Sequence, residues 1–126
     1  MLIISFAWTV PAILAGRKSC TRRDWNESYA RKFRKGDIVQ AWDKNPRNGG
    51  RQIGTIRLTA DPYNELLSEA PEADWEAEGF AYLTEIGCTV NGRAPVEFWN
   101  GWKASSDKLW VIRFEIVEVF NGTKNL

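Results

Sequence analysis

The clearest periodic pattern in the sequence lies near its end. Over Leu109–Phe120, apolar side chains occupy every second position from Trp110 to Ile116, which is the period of a β-strand with one face in a core. Gln52–Thr59 alternates in the same way, and Ile38–Trp42 is a short apolar and aromatic run that begins after a Gly-Asp turn. The pattern therefore predicts strands in these three segments.

The beginning of the sequence predicts a strand, a short helix and a second strand. Leu2–Phe6 is apolar and has no basic residues before it, so we interpret it as a buried strand and not as a signal peptide. Thr9 is a suitable helix cap, because a proline follows it in the first turn, and Gly16 is a suitable helix end. Ser19–Arg23 then predicts a short polar strand.

Three further segments predict helices. Asn26–Lys35 predicts a helix with a basic surface, and Pro95–Ala104 predicts a helix rich in tryptophan. Pro71–Ile86 predicts one long acidic helix, with a proline in its first turn and Gly87 after its end.

The order of these elements predicts the architecture. It reads β-α-β-(α)-β-β-α-α-β, and 126 residues are enough for one domain with one core. We therefore expect a single α+β domain over residues 1–126. Its predicted form is a small, mostly antiparallel β-barrel with flanking helices.

Composition narrows the chemistry. The chain has no histidine, which excludes a Ser-His-Asp triad, a Cys-His dyad and histidine metal ligands. Cys20 and Cys88 are too few for a disulfide scaffold or a zinc ribbon, and they suit a reducing, cytoplasmic setting. No apolar stretch approaches the roughly 18 residues that a membrane span needs. We expect no metal and no cofactor, with proton transfer left to Lys, Glu, Asp, Tyr or a thiol.

Charge is divided unevenly along the chain, although the net charge is only +1. Residues 1–60 carry 12 Lys and Arg against 4 Asp and Glu, whereas residues 61–87 carry 8 Asp and Glu and no Lys or Arg. One interpretation is a basic face for a polyanion beside an acidic helix. The other is two segments that attract each other on folding, and the sequence leaves both open.

The segment with the most chemistry is the second predicted strand and the residue before it. Strand alternation places Thr21 and Arg23 on one face and Cys20 and Arg22 on the other, where we expect Cys20 in the core. Lys18, Thr21 and Arg23 can then converge on one pocket. There an amine near other cations loses basicity and deprotonates a hydroxyl, and a guanidinium holds a phosphate or a carbonyl. The alternative is that the cations only cap a helix dipole and Thr21 is an ordinary strand residue.

Aromatic and basic side chains near this segment are candidates for nucleic-acid binding. Trp8 and Trp25 lie nearest to Lys18 in sequence, so we expect one or both at the pocket, where a tryptophan can stack on a base. Most of the seven tryptophans must lie in the core. A basic set either follows a phosphate backbone or is solvated surface charge. It consists of Arg17, Arg22, Arg23, Arg31, Lys32, Arg34, Lys35, Arg47 and Arg51.

Several of these residues carry a resemblance to a known family. The run Ile13–Arg23, with the Gly-Asp pair at 36–37 after it, resembles the opening motif of ASCH domains, which are PUA-like folds associated with RNA. The small bacterial N4-acetylcytidine amidohydrolases belong to the same group and open with a similar string. The resemblance extends over Ile53–Thr59 and the final predicted strand, so it spans most of the chain.

The resemblance also implies a catalytic set. Lys18 matches the catalytic lysine of the amidohydrolases, and Thr21 matches their nucleophilic threonine. The run Ala-Glu-Gly-Phe at residues 77–80 looks like the segment with their catalytic glutamate, which points to Glu78. The residues alone leave this last choice open, because Glu78 and Glu76 lie at opposite edges of the apolar face of the predicted helix.

The sequence differs from the amidohydrolases in insertions at Asn26–Lys32 and Asn91–Ala104 and in its many tryptophans, so the substrate stays open. The first functional hypothesis is an ASCH-type domain that binds RNA or a modified nucleoside, without a membrane or an obligate protein partner. Its expected pocket and binding residues are Lys18, Thr21, Arg23 and Glu78, with Trp8, Arg17, Arg22, Trp25 and Arg51. The alternative is a hydrolase, either an amidohydrolase for N4-acetylcytidine-like nucleosides or a ribonuclease. A third hypothesis, an interaction module without nucleic acid, fits the uneven charge less well.

Overall fold

The structure is a computed structural model and describes residues 2–120. Six strands form one curled, mixed sheet with helices beside it, which is an α+β fold. The strands are β1 (Ile3–Ser5), β2 (Cys20–Arg23), β3 (Ile38–Trp42), β4 (Gln52–Leu58), β5 (Tyr63–Leu66) and β6 (Lys108–Val119). The helices are α1 (Val10–Leu14), α2 (Glu27–Ala30), α3 (Asp74–Ala77), α4 (Phe80–Glu85) and α5 (Pro95–Lys103).

Strand β6 is the strand on which the rest of the sheet depends. The sheet order is β1-β3-β4-β6-β2, and β5 pairs with β6 outside this path. The first half of β6 pairs with β2 and β5, and the second half pairs with β4, all antiparallel. Register shifts in β3 and β4 add local twist, and the sheet curls into a half-barrel.

The buried apolar side chains among the described residues form two clusters. The larger one lies within the curled sheet and includes Phe6, Ile13 and Ile112. The smaller one lies among the helices and includes Phe80 and Trp99. No helix within residues 2–120 is long and apolar enough to cross a membrane.

Most of the predicted elements are confirmed. Ile38–Trp42 is a strand with the predicted bounds, and the strands at 2–6, 19–23, 52–59 and 109–120 are present with ends that differ by one or two residues. The barrel is open rather than closed, and β1 pairs parallel with β3. The helix predicted over Asn26–Lys35 is present only over Glu27–Ala30, and the Asn26 side chain caps its start.

The prediction of one helix over Pro71–Ile86 is wrong. The segment forms α3 and α4, and Gly79 separates them with a φ of +94°, in the left-handed region. A β-carbon on Gly79 would also lie 2.7 Å from the β-carbon of Ala12, so the position admits only glycine without rearrangement. The break ends α3 at Ala77 and leaves the backbone carbonyl of Glu78 to accept a hydrogen bond from Lys18.

The Gly79→Ala variant tests how much stability is lost when a β-carbon is placed this close to Ala12. We expect Gly79→Ala to lower the free energy of unfolding by about 1–2 kcal/mol for the left-handed backbone, and by about 1–2 kcal/mol more for the contact with Ala12. Gly36→Ala is the matched control, because Gly36 has a φ of +91° and nothing within 4 Å of the added carbon. Urea unfolding of both variants gives the difference, and equal losses would contradict the packing argument.

Candidate functional site

A cavity of about 230 Å³ lies between the two apolar clusters, and we call it the first cavity. Its polar wall is formed by Lys18, Thr21, Arg22, Arg23 and Glu78. Strand β2, the residues before it and the break between α3 and α4 supply these side chains. Three of the groups that the sequence predicted to converge, Lys18, Thr21 and Arg23, therefore share one cavity with Glu78.

Lys18 is held by the break between α3 and α4. The turn after α1 and a backbone hydrogen bond of 2.8 Å from Ser19 to Ala77 fix the chain on both sides of it. Its side chain is only 2% exposed. The Lys18 Nζ donates a 2.6 Å hydrogen bond to the backbone carbonyl of Glu78 and a 3.2 Å bond to the Glu78 Oε1. Burial lowers the pKa of the Lys18 ammonium, despite the charge of Glu78.

The hydroxyl of Thr21 lies beside a guanidinium. The Arg23 Nε donates a 3.2 Å hydrogen bond to the Thr21 Oγ1, and the Arg23 Nη2 donates to the carbonyl of Ser5 at 2.5 Å. The Thr21 Oγ1 accepts from Arg23, so its own proton is free to point elsewhere. Within residues 2–120, no hydrogen bond joins Lys18 to Thr21. The two residues share the cavity without a hydrogen bond between them.

The structure distinguishes Glu78 from Glu76, a choice that the sequence left open. Glu78 is 3% exposed and faces the first cavity, where its Oε2 accepts a 2.7 Å hydrogen bond from Arg22. Glu76 lies outside and accepts two hydrogen bonds from Arg17 at 2.8 Å. Only Glu78 is placed to act on a ligand in the first cavity.

Arg22 lies at the centre of a buried network of ion pairs. Besides Glu78, it donates to Glu65 at 2.7 Å and to Asp74 at 2.6 Å. Each carboxylate oxygen of Asp74 also accepts a 2.8 Å hydrogen bond from Arg113 on β6. Burial alone would raise the pKa of Asp74, but the hydrogen bonds from Arg113 and Arg22 bring it below its ordinary value. The guanidinium of Arg22 is thus engaged by carboxylates and fixes the position of Glu78.

The ion pairs also bear on the uneven charge distribution. Cations of the first 60 residues pair with acids of residues 61–87, which favours attraction between the two segments on folding. The cations are Arg17, Lys18 and Arg22, and the acids are Glu65, Asp74, Glu76, Glu78 and Glu85. The rest of the predicted basic set, apart from Arg23, is exposed at the surface.

The predicted aromatic and basic ligands of the site divide into two groups. Trp8 lies at the wall of the first cavity and is 54% exposed. Trp25 stacks on Phe33 at 4.6 Å and lines a different cavity. Arg17 donates hydrogen bonds to Glu76 and Glu85, and Arg51 is an exposed residue that does not line the first cavity.

The remaining aromatic wall of the first cavity was not predicted. Phe6, Phe80, Phe98 and Trp102 line it together with Trp8. Phe98 and Trp102 lie four positions apart on α5, and this spacing is the signal that could have identified them as one face. Ala7, also at this wall, has a φ of +46°, which is unusual for a residue other than glycine.

Comparison with solved structures finds chains of similar fold. The crystal structure of protein EF3133 from Enterococcus faecalis V583, of family-model DUF984, aligns with a TM-score of 0.57 and 17% sequence identity. The alignment covers 93% of this chain and 76% of that chain. No protein-family model and no curated protein matches the sequence. The similarity to EF3133 shows a shared fold and assigns no function.

The two cysteines differ in exposure, and this difference predicts their reactivity. Both are free thiols, Cys20 is buried, and burial raises the pKa of the Cys20 thiol. We expect a thiol reagent to modify Cys20 at least about tenfold more slowly than Cys88 in the native protein. Mass spectrometry of the labelled peptides measures both rates, and urea-unfolded protein is the control in which they converge. Faster labelling at Cys20 would contradict its placement in the core.

Proposed function

We propose that this protein is an ASCH-type domain of the PUA-like class that binds RNA or a modified nucleoside, with one base in the first cavity. The observation that carries the proposal is the composition of that cavity. Aromatic side chains form one part of its wall, and a buried lysine, threonine, arginine and glutamate form the other. Aromatic faces stack on a base, and the polar groups offer donors and an acceptor to its edge.

The size of the first cavity supports a ligand of this kind. At about 230 Å³ it is smaller than the roughly 300–1,000 Å³ of sites for drug-sized molecules, so it suits a single base and not a longer planar ligand. The exposed Trp8 at its wall is suited to close over such a base.

Two independent similarities support the ASCH assignment. The motif over residues 13–23 resembles the opening of ASCH domains, and its lysine, threonine and last arginine all line the first cavity. The structural neighbour belongs to DUF984, which is an ASCH/PUA-like domain family.

A hydrolase is the second candidate, and the shared placement of Lys18, Thr21 and Glu78 in one cavity favours it. The Thr21 Oγ1 would attack the acyl carbon of an N4-acylated base while its proton passes to Lys18. The lowered pKa of Lys18 favours the neutral amine that this step needs. The step also needs Lys18 to approach Thr21, with which it makes no hydrogen bond.

The remaining steps follow from the contact between Lys18 and Glu78. The proton that Lys18 takes from Thr21 passes to Glu78 across their 3.2 Å contact. The bond between the acyl carbon and the base nitrogen then breaks, and Glu78 gives that proton to the departing amine. Water then cleaves the Thr21 ester and releases the carboxylic acid, so that one amide bond is hydrolysed in total.

Calorimetric titration with N4-acetylcytidine, cytidine and adenosine tests the binding proposal. We expect N4-acetylcytidine or cytidine to bind at least about tenfold more tightly than adenosine, because the cavity is small. Lys18→Met should weaken that binding at least tenfold by removing a donor from the cavity wall. Lys108→Met, at an exposed position on β6, is the control for loss of a positive charge. Absence of binding by all three nucleosides and by single-stranded RNA would refute the proposal.

A further inference from the structure

Arg23 is a partly buried cation whose charge no carboxylate among the described residues balances. Lys18 and Arg22 each form an ion pair with Glu78, but among residues 2–120 no carboxylate lies within ion-pair distance of Arg23. Glu78 acts on Arg23 only from a longer range. Its guanidinium is instead bonded to the hydroxyl of Thr21 and the carbonyl of Ser5, which are both neutral.

The hydrogen bonds of Arg23 to neutral groups leave its positive charge without a neighbouring negative charge. Removing a guanidinium from water without a counter-ion is costly even when the burial is partial, and desolvation lowers the pKa of Arg23 accordingly. The Nη1 of Arg23 donates a hydrogen bond to none of the described residues. This nitrogen is not buried, so it remains accessible to a ligand. An anion at this nitrogen would supply the missing charge.

A second cavity lies on the other side of Arg23. It has a volume of about 270 Å³, and Trp25, Tyr29, Asn45 and Pro46 form part of its wall. Ser5 and Arg23 line both cavities. The two cavities are therefore neighbours on either side of Ser5 and Arg23, and the second has aromatic side chains of its own.

The loop beside the second cavity is both ordered and basic. The Asp43 Oδ1 accepts hydrogen bonds from the backbone amides of Lys44 and Arg51, and the Asn45 Oδ1 accepts one from Arg47. Asn45 and Pro46 of this loop line the cavity, and its three cations are exposed and lie within a few positions of them in sequence. Such a loop favours a polyanionic strand.

From these observations we propose that the ligand is an RNA strand and not a free nucleoside. One base occupies the first cavity, its phosphodiester binds Arg23, and the neighbouring nucleoside lies in the second cavity against Trp25 and Tyr29. The inference rests on the proposed function and adds to it the phosphate and the second nucleotide.

Titration with a ligand series tests each part. The series is N4-acetylcytidine, its 3′- and 5′-monophosphates, and dinucleotides with the acetylated base at either end. We expect one monophosphate to bind about tenfold more tightly than the nucleoside, and the matching dinucleotide to gain a further fivefold or more. The affinity for the phosphorylated ligands should fall with salt, and that for the nucleoside should not.

Arg23→Gln gives the decisive comparison. Because Arg23 also contacts Thr21, the measured quantity is the ratio of affinities for the monophosphate and the nucleoside, which should fall from about ten to about one. Arg57→Gln removes the same charge from an exposed arginine paired with Glu115, and should leave the ratio unchanged.

The outcomes separate this inference from the proposed function. Nucleoside binding with no gain from either phosphate would overturn the role of Arg23 and leave the proposed function standing. Equal affinity for monophosphate and dinucleotide would overturn the role of the second cavity. If the nucleosides, the nucleotides and single-stranded RNA all fail to bind, the proposed function itself is refuted.

Discussion

Thr21→Ala is expected to abolish the release of acetate from N4-acetylcytidine, with a loss of at least about a thousandfold, if the site is hydrolytic. The substitution removes the hydroxyl oxygen that bonds to the acyl carbon in the proposed mechanism, and residues that only position the substrate cannot replace a nucleophile. Thr21→Ser keeps a hydroxyl and should retain measurable turnover. Quantification of acetate and cytidine over time, with calorimetric binding on the same samples, measures both properties.

Thr9 provides the matched control for this experiment. It is a second threonine at the wall of the first cavity, but its hydroxyl donates to the carbonyl of Phe6 at 2.9 Å and is not available for attack. Thr9→Ala should therefore keep turnover within a few-fold of the wild type. Turnover by Thr21→Ala at a comparable rate would rule out Thr21 as the nucleophile. Wild-type protein that binds the nucleoside but releases no acetate would leave only the binding function.

Asp74→Ala is expected to cause the largest loss of stability, about 3–5 kcal/mol in the free energy of unfolding. Asp74 is 1% exposed and holds Arg22 and Arg113, and its removal leaves two guanidinium groups without this partner. Glu115→Ala is the control, because Glu115 pairs with Arg57 at the surface and should contribute less than about 1 kcal/mol. Urea unfolding of the two variants checks the difference, and similar small losses would contradict the role of the network.

The same network predicts a dependence of stability on pH. The pKa of Asp74 in the folded protein is below its ordinary value of 3.8, so the unfolded state binds the proton more readily. Its contribution to stability is complete above that ordinary value and is lost as the pH falls through the lower folded value. Asp74→Asn should remove this part of the acid dependence. If Asp74→Asn leaves the acid limb unchanged, other carboxylates control it.

The local features of the site were predictable, and the long-range ones were not. Residues 18–23 carry their own signals, a helix end and a strand alternation, and these place Lys18, Thr21 and Arg23 together. Arg22 was expected to bind phosphate, but its partners lie 43 to 56 positions away in sequence, and no local pattern connects them. The choice of Glu78 over Glu76 likewise depends on which of them faces β2 after folding.

The predicted long helix shows how tertiary packing overrides a local pattern. Its acidic and apolar residues recur with a helical period, and a glycine inside a helix is tolerated at a modest cost. The close approach of Ala12 to Gly79 arises only after α1 has docked, so the break was not visible from the segment itself. Strand β5 was not predicted from the sequence, because it is only four residues long and pairs with β6 alone.

The central position of β6 has a consequence for the order in which the protein folds. During synthesis β2, β4 and β5 are all made before β6, and each of them must wait for it as a pairing partner. Cys20, for example, pairs with Arg113, so the chain closes a very long loop before the cavity wall exists. High contact order of this kind slows folding. A nascent chain that lacks β6 would expose unpaired strand edges and would have no assembled site, which makes it a natural substrate for chaperones.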